Sequence, residues 1–100
     1  MKIFISLVCS LVMLGTVASS HAGDAAAGKA KSMLCAACHG ADGHSPNDLW
    51  PSLAGQKEGY LAKQLKAFRD GTRQDPMMAP MAKPLSDDDI ANLAAYFNSL

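Results

Sequence analysis

The sequence predicts an all-α domain of three main helices joined by long loops. Three observations carry that expectation. Beyond residue 22 there is no Val and only one Ile, so residues that favour strands are nearly absent. Fifteen of the 35 apolar residues in 23–100 are Ala, the strongest helix former. Apolar positions recur three and four apart in two separate stretches. The same composition poses a problem. Eleven Leu, Ile and Phe side chains in these 78 residues make a thin core. Small domains this poor in apolar area need a disulfide, a metal or a bound group to hold them together.

Residues 1–22 read as an address rather than as part of the fold. Met1-Lys2 is a short basic start, Ile3 to Val17 an apolar run, and Ser20-His21-Ala22 a small-residue end before Gly23. This is the pattern of a cleaved secretory signal. The run is about 15 residues, short of the roughly 20 needed to span a bilayer. Residues 23–100 are then the exported, soluble domain, expected in the periplasm, and Cys9 and His21 leave with the signal. Nine Lys and Arg balance nine Asp and Glu in the whole chain. Loss of Lys2 makes the remainder slightly acidic. No basic face for nucleic acid is implied.

The first helix is expected from about Ala25 into Cys38. Asp24 caps it, and Gly28 sits inside it, a cost unless something packs closely there. Gly40 ends that segment. Residues 41–56 carry Gly43, Pro46, Pro51 and Gly55 and read as loop, with Leu49, Trp50 and Leu53 as apolar anchors. The second helix runs from about Glu58 to Asp70. Tyr60, Leu61, Leu65 and Phe68 form its apolar stripe, and Gly71 stops it. Lys57, Lys63, Lys66 and Arg69 lie off the stripe, as on a solvated face. Residues 72–84 contain three prolines and read as loop. The last helix begins at Ser86. Asp87, Asp88 and Asp89 suit its positive end, and Ser86 with Asp89 has capping-box spacing. Ile90, Leu93, Ala94 and Phe97 share one face, with Tyr96 beside it.

Two cysteines remain after the signal, in Cys35-Ala36-Ala37-Cys38-His39. A disulfide here would close too small a loop to restrain the chain much. A thioredoxin-like pair belongs in a βαβ context, and no strand pattern surrounds this one. Zinc would need a further ligand pair at finger spacing, and only His44 follows nearby. The remaining reading is covalent attachment of a c-type haem. Two thiols at this spacing add across the two vinyl groups of one porphyrin, and the adjacent histidine becomes the proximal iron ligand.

The opposite iron face leaves four candidates: His44, Met77, Met78 and Met81. His44 is too close in sequence to His39 to reach round a plate roughly 10 Å wide. Methionine is ordinarily core filler. Three in five residues of a Pro-rich segment, outside any helical stripe, fit that role poorly. The prolines would stiffen the segment and hold one thioether in place. Spacing does not choose among the three.

From Gly23 to Leu100 the chain resembles class I c-type cytochromes, especially the short bacterial periplasmic type and single domains of the cytochrome c-four/c-five group. The resemblance is carried by Gly28; Cys35, Cys38, His39 and Gly40; Trp50-Pro51-Ser52-Leu53-Ala54-Gly55-Gln56; Tyr60 to Leu65; Met77 to Met81; Leu85-Ser86-Asp87; and Ala94-Ala95-Tyr96-Phe97. It implies a small cytochrome c fold wrapped round one haem c. It implies Met78 as the axial methionine, since the family places that residue seven positions before the leucine that opens the last helix. It also implies that the Pro51 carbonyl accepts a hydrogen bond from His39, that Leu53 packs on the porphyrin, and that Gly28 lets the first helix cross the last against Tyr96. Trp50 fits a core position. Arg73 and Gln56 are candidates for the propionates.

The function expected from the motif and the resemblance is a periplasmic one-electron carrier, not an enzyme by itself, exchanging electrons with protein reductases and oxidases. An alternative is the cytochrome subunit of a periplasmic dehydrogenase or terminal oxidase. A five-coordinate sensor would require that none of the three methionines bind iron. The thin core yields a test. A haem of roughly 600 Da would supply the missing apolar mass. Chain made without haem attachment is therefore expected to be largely unfolded by circular dichroism, and a cooperative thermal transition in that material would overturn the composition argument.

Overall fold

The computed structural model describes residues 10–13, 15 and 23–100. The expected signal segment, residues 1–22, lies outside the described residues apart from those five positions. Among the described residues every regular element is helical. They are α1 (Ala25–Lys31), a 3₁₀ turn (Ser32–Leu34), α2 (Ala36–His39), α3 (Glu58–Asp70), α4 (Met78–Ala82) and α5 (Asp87–Asn98). No helix among them is long and apolar enough to cross a membrane.

The expected first helix is therefore interrupted. Asp24 caps α1 as anticipated, its carboxylate accepting from Ala26 and Ala27 N–H at 2.9 and 3.3 Å. At Ser32 the hydroxyl turns back and donates to the Lys29 carbonyl at 2.7 Å, and Cys35 N–H bonds to Ser32 O rather than one residue further back. A serine side chain that bonds the preceding turn bends a helix in this way. The chain tightens to 3₁₀ geometry for three residues and resumes as α2. Gly40, at φ +85°, stops α2 in a conformation that L side chains rarely adopt.

A second correction falls between residues 72 and 84, where α4 interrupts the expected loop. Asp75 accepts from the backbone N–H of Met77 and Met78 at 2.8 and 2.9 Å, and its carbonyl takes the first helical bond from Ala79 N–H. Pro76 follows it directly. An acidic side chain accepting from the N–H groups at the start, with a proline in the turn just before the helix, favours a helix start here. Pro84 lies just past the end.

Helix α5 is the hub. Its Ile90, Leu93, Ala94, Tyr96 and Phe97 are buried, and Leu61 of α3, Ala82 of α4 and Leu85 complete the core. Ile90 and Leu93 are almost fully enclosed, each contributing about 1.5–3 kcal/mol by burial. The capping box of α5 is complete: Ser86 Oγ accepts from Asp89 N–H and the Asp89 carboxylate accepts from Ser86 N–H, both at 3.0 Å. That bond holds the Asp89 carboxyl below its ordinary pKa. Arg69 of α3 pairs with Asp87 at 2.8 Å and donates to the Leu85 carbonyl. The stripe of α3 is narrower than expected. Leu61, Leu65 and Phe68, at i, i+4 and i+7, face the core, and Tyr60 stands at its edge, half exposed.

Helix α1 crosses α5 at Gly28, which is buried. A Cβ built there would fall on the Asn92 carbonyl and 2.8 Å from Tyr96 Cβ. Both obstacles belong to α5 itself, so the helices would have to part. Alanine recovers up to about 1 kcal/mol of helix propensity, which the clash exceeds. Gly28→Ala is expected to lower the stability of the haem-loaded protein by about 1–3 kcal/mol net, measured by denaturant unfolding.

Candidate functional site

Helix α2 is a single turn that gathers the motif. His39 N–H bonds to Cys35 O at 2.9 Å, so Cys35 and His39 lie one above the other and Cys38 beside them. Both thiols are free and half-buried. Burial pushes the Cys35 thiol up from its ordinary value, and neighbouring Cys38 adds to the effect. A thiol raised in this way stays protonated at neutral pH, the opposite of the low-pKa thiolate on which redox pairs depend. Among the described residues no group of three or more His, Cys, Asp or Glu side chains is arranged to hold a metal ion.

His39 is buried. Its Nδ1 lies 2.7 Å from the Pro51 carbonyl oxygen. A carbonyl only accepts, so Nδ1 carries the proton and the lone pair is left on Nε2, the tautomer that a metal-binding imidazole requires. The loop that brings Pro51 here is fastened by the backbone. The Gly43 carbonyl accepts from Leu53 and Ala54 N–H at 2.7 and 3.0 Å. Gly55 N–H donates to the Phe97 carbonyl at 2.8 Å, and Asn98 Nδ2 donates to Gln56 O at 2.9 Å. These last two bonds hang the loop on the end of α5.

A cleft lies between the α1–α2 segment and α3, α4 and α5. It is lined by Lys31, Leu34, Cys35, Leu65, Met78, Met81, Ala82, Leu85 and Leu93. Cys35 and Met78 thus meet on one apolar surface although an entire helix separates them in sequence. Of the candidate methionines, Met78 is half-buried, whereas Met77 and Met81 are 55% and 42% exposed. Met77 does not line the cleft. The short helix α4 sets this difference in exposure: Asp75 fixes its first turn and Ala82 is buried one turn after Met78, while Met81 lines the cleft as well. An acid followed by proline was the signal for it in the sequence.

The donor set fits a covalently held haem: two free thiols and a tautomerically fixed imidazole on one helical turn, with a thioether on the apolar cleft that Cys35 enters. His44 is exposed. Leu53 packs half-buried against the core cluster and does not line the cleft, and Trp50 is half-buried. Leu49, expected as an anchor, is 85% exposed. Its N–H bonds to the Asn47 side chain, a local turn that points it away from the core. Of the two propionate candidates, Arg73 stacks on the Phe68 ring at 4.5 Å and bonds Gln64 at 2.7 Å. Gln56 turns its side-chain oxygen to Lys57 N–H.

The cytochrome c family model matches residues 25–100. Cytochrome c4 of Pseudomonas aeruginosa is 52% identical over 94 residues, covering 93% of this chain and 47% of that protein. Cytochrome c-554(548) of Halomonas halodenitrificans is 51% identical over 81 residues, covering 78% of this chain and 98% of that protein. The crystal structure of reduced recombinant cytochrome c4 from Pseudomonas stutzeri superposes with a TM-score of 0.75 at 47% identity, covering 78% of this chain and 46% of that one. The chain spans about half the length of the cytochrome c4 proteins it matches.

The seating of Met78 can be tested apart from any bound group. Asp75→Ala removes the acceptor from Met77 and Met78 N–H. Faster hydrogen–deuterium exchange is expected at Met77 and Met78, with protection restored in Asp75→Asn, whose side chain still accepts.

Proposed function

The chain belongs to the cytochrome c family, and from that premise we propose that it is a periplasmic one-electron carrier with a single covalent haem c. Residues 1–22 serve as the cleaved export signal and 23–100 as the working domain. Cys35 and Cys38 hold the haem through thioether bonds. His39 Nε2 and Met78 Sδ would hold the iron. The Pro51 carbonyl orients the His39 ring and raises its basicity, and Leu53 contributes apolar packing from the loop. The single observation that carries this reading is that Cys35, which opens the one-turn helix bearing Cys38 and His39, lines the same apolar cleft as Met78.

Haem supplies a one-electron ferric/ferrous couple when bound. The rest follows from what the chain does around it. His39 and Met78 together leave no ligand position for a substrate, which sets a carrier apart from a five-coordinate sensor or enzyme. The Met78 thioether favours the reduced form relative to a second imidazole. Leu34, Leu65, Leu85 and Leu93 give the cleft an apolar lining. Partners are redox proteins of the same compartment, met at the exposed rim of Met77 and Met81. The mature chain carries a formal charge near zero, so strong charge steering is not required.

The reduced protein is expected to show a sharp c-type α band. Met78→Ala should abolish the weak sulfur-to-iron band and open the reduced iron to rapid carbon monoxide binding, whereas Met77→Ala and Met81→Ala should change neither. Retention of the sulfur band in Met78→Ala would assign the ligand elsewhere.

A further inference from the structure

The His39–Pro51 hydrogen bond joins two segments that are otherwise separate, and one residue bridges both flanks of it. Ser45 N–H donates to Ser52 Oγ at 2.9 Å. Ser45 Oγ lies 2.8 Å from the Asn47 carbonyl and 3.3 Å from the Cys38 carbonyl, so its one proton is shared, with Asn47 the nearer acceptor. The same oxygen accepts from Asn47 N–H at 3.1 Å. Cys38 immediately precedes the histidine, and Ser52 immediately follows the proline. Ser45 therefore ties the residue before the donor to the residue after the acceptor.

This matters because Pro51 has no N–H with which to anchor itself. The position of its carbonyl is set by its neighbours. On the far side Leu53 and Ala54 are clamped to the Gly43 carbonyl. Beside that clamp Ser52 Oγ accepts from Ser45 N–H, and on the amino side Trp50 N–H donates to the Asn47 carbonyl at 3.1 Å, the same carbonyl that takes the Ser45 hydroxyl proton. Ser45 thus supports the segment on both sides of Pro51, and a donor–acceptor distance of 2.7 Å has little room to lengthen before the bond weakens.

We propose that Ser45, together with its acceptor Ser52, is a positioning residue that sets the strength of the His39–Pro51 hydrogen bond and thereby the balance between the oxidation states of the bound iron. The inference rests on the haem-carrier reading and deepens it. A strong bond from Nδ1–H raises electron density at Nε2 and favours the ferric form. Loosening the bond therefore favours the ferrous form.

The test is a redox titration of haem-loaded Ser45→Ala and Ser52→Ala, with Ser45→Thr and Ser52→Thr as conservative partners. Ser45→Ala keeps the N–H that Ser52 accepts but removes the hydroxyl bonds to Asn47 and Cys38, whereas Ser52→Ala removes the acceptor of that N–H. At fixed ambient potential the ferrous-to-ferric ratio should rise about threefold in each, equivalent to about 28 mV at about 59 mV per tenfold for one electron. The Thr variants should return to the parent value. Exchange of the His39 Nδ1 proton, followed by NMR, should accelerate in the Ala variants alone. Asp24→Ala, which removes the α1 cap instead, is the control for general loosening. Parent-like potentials in both Ala variants, or an equal shift in Asp24→Ala, would overturn the assignment while leaving the carrier reading intact. A parent protein without a c-type spectrum would instead overturn the carrier reading itself.

Discussion

The close crossing of α1 over α5 at Gly28 is the contact on which the rest of this structure depends. It seats the amino-terminal segment directly on the backbone of the hub helix, with no side chain between. The 3₁₀ turn and α2 follow within a few residues, so the position of Cys35 relative to Leu93 and Leu85 is inherited from that crossing. Asp24 N–H bonding to Asn92 Oδ1 at 2.8 Å and Lys31 facing Asp89 at 3.5 Å hold the two ends of α1 in the same alignment. Both are exposed polar contacts, of the kind that contributes little energy. Their use is to fix direction, and the absence of a Cβ at Gly28 supplies the proximity.

A domain with so few large apolar side chains must be organised partly by hydrogen bonds. The segment between α2 and α3 shows how. Its one large apolar contact with the core is Leu53, and the rest of its course is set by Gly43, Ser45, Asn47, Ser52 and the end of α5. Among the described residues no buried side-chain nitrogen or oxygen lacks a partner, so these bonds add order without leaving a desolvated group unpaired. Such a scaffold specifies position closely while contributing modest net stability, since each bond replaces one to water. That division suits a site where the direction of one imidazole matters more than the strength of the surrounding packing.

Much of this was legible in the sequence because it rests on local rules. The motif spacing located α2, Ser86 and Asp89 declared the start of α5, Gly71 ended α3, and Gly28 announced a close approach. The departures have equally specific causes. The break at Ser32 depends on which carbonyl one hydroxyl chooses, and composition does not encode that. Helix α4 was obscured because three prolines read as loop, although Asp75-Pro76 is also a helix start. Tyr60 falls on the stripe in sequence, but the packing of α3 on α5 makes that stripe one residue narrower. Hydrophobicity alone makes Leu49 an anchor, but the Asn47 turn directs it outward. The half-buried seat of Met78 depends on α4, and spacing does not show it.

The 3₁₀ turn at Ser32–Leu34 has a consequence for angular phase. Along an uninterrupted α-helix, Cys35 and His39 fall seven and eleven residues beyond Gly28, within roughly 20° of it at 100° per residue. All three would then face α5, and the thiol and imidazole would be spent against the hub. Three residues at 120° each advance the helix by roughly 60° more than α-helical winding would. That rotation turns the Cys35–His39 face away from the line of Gly28, so that Cys35 meets the cleft beside Leu93 and His39 meets the Pro51 carbonyl. One serine thus acts as an indexing step, separating the side of the segment that builds the fold from the side left available for chemistry.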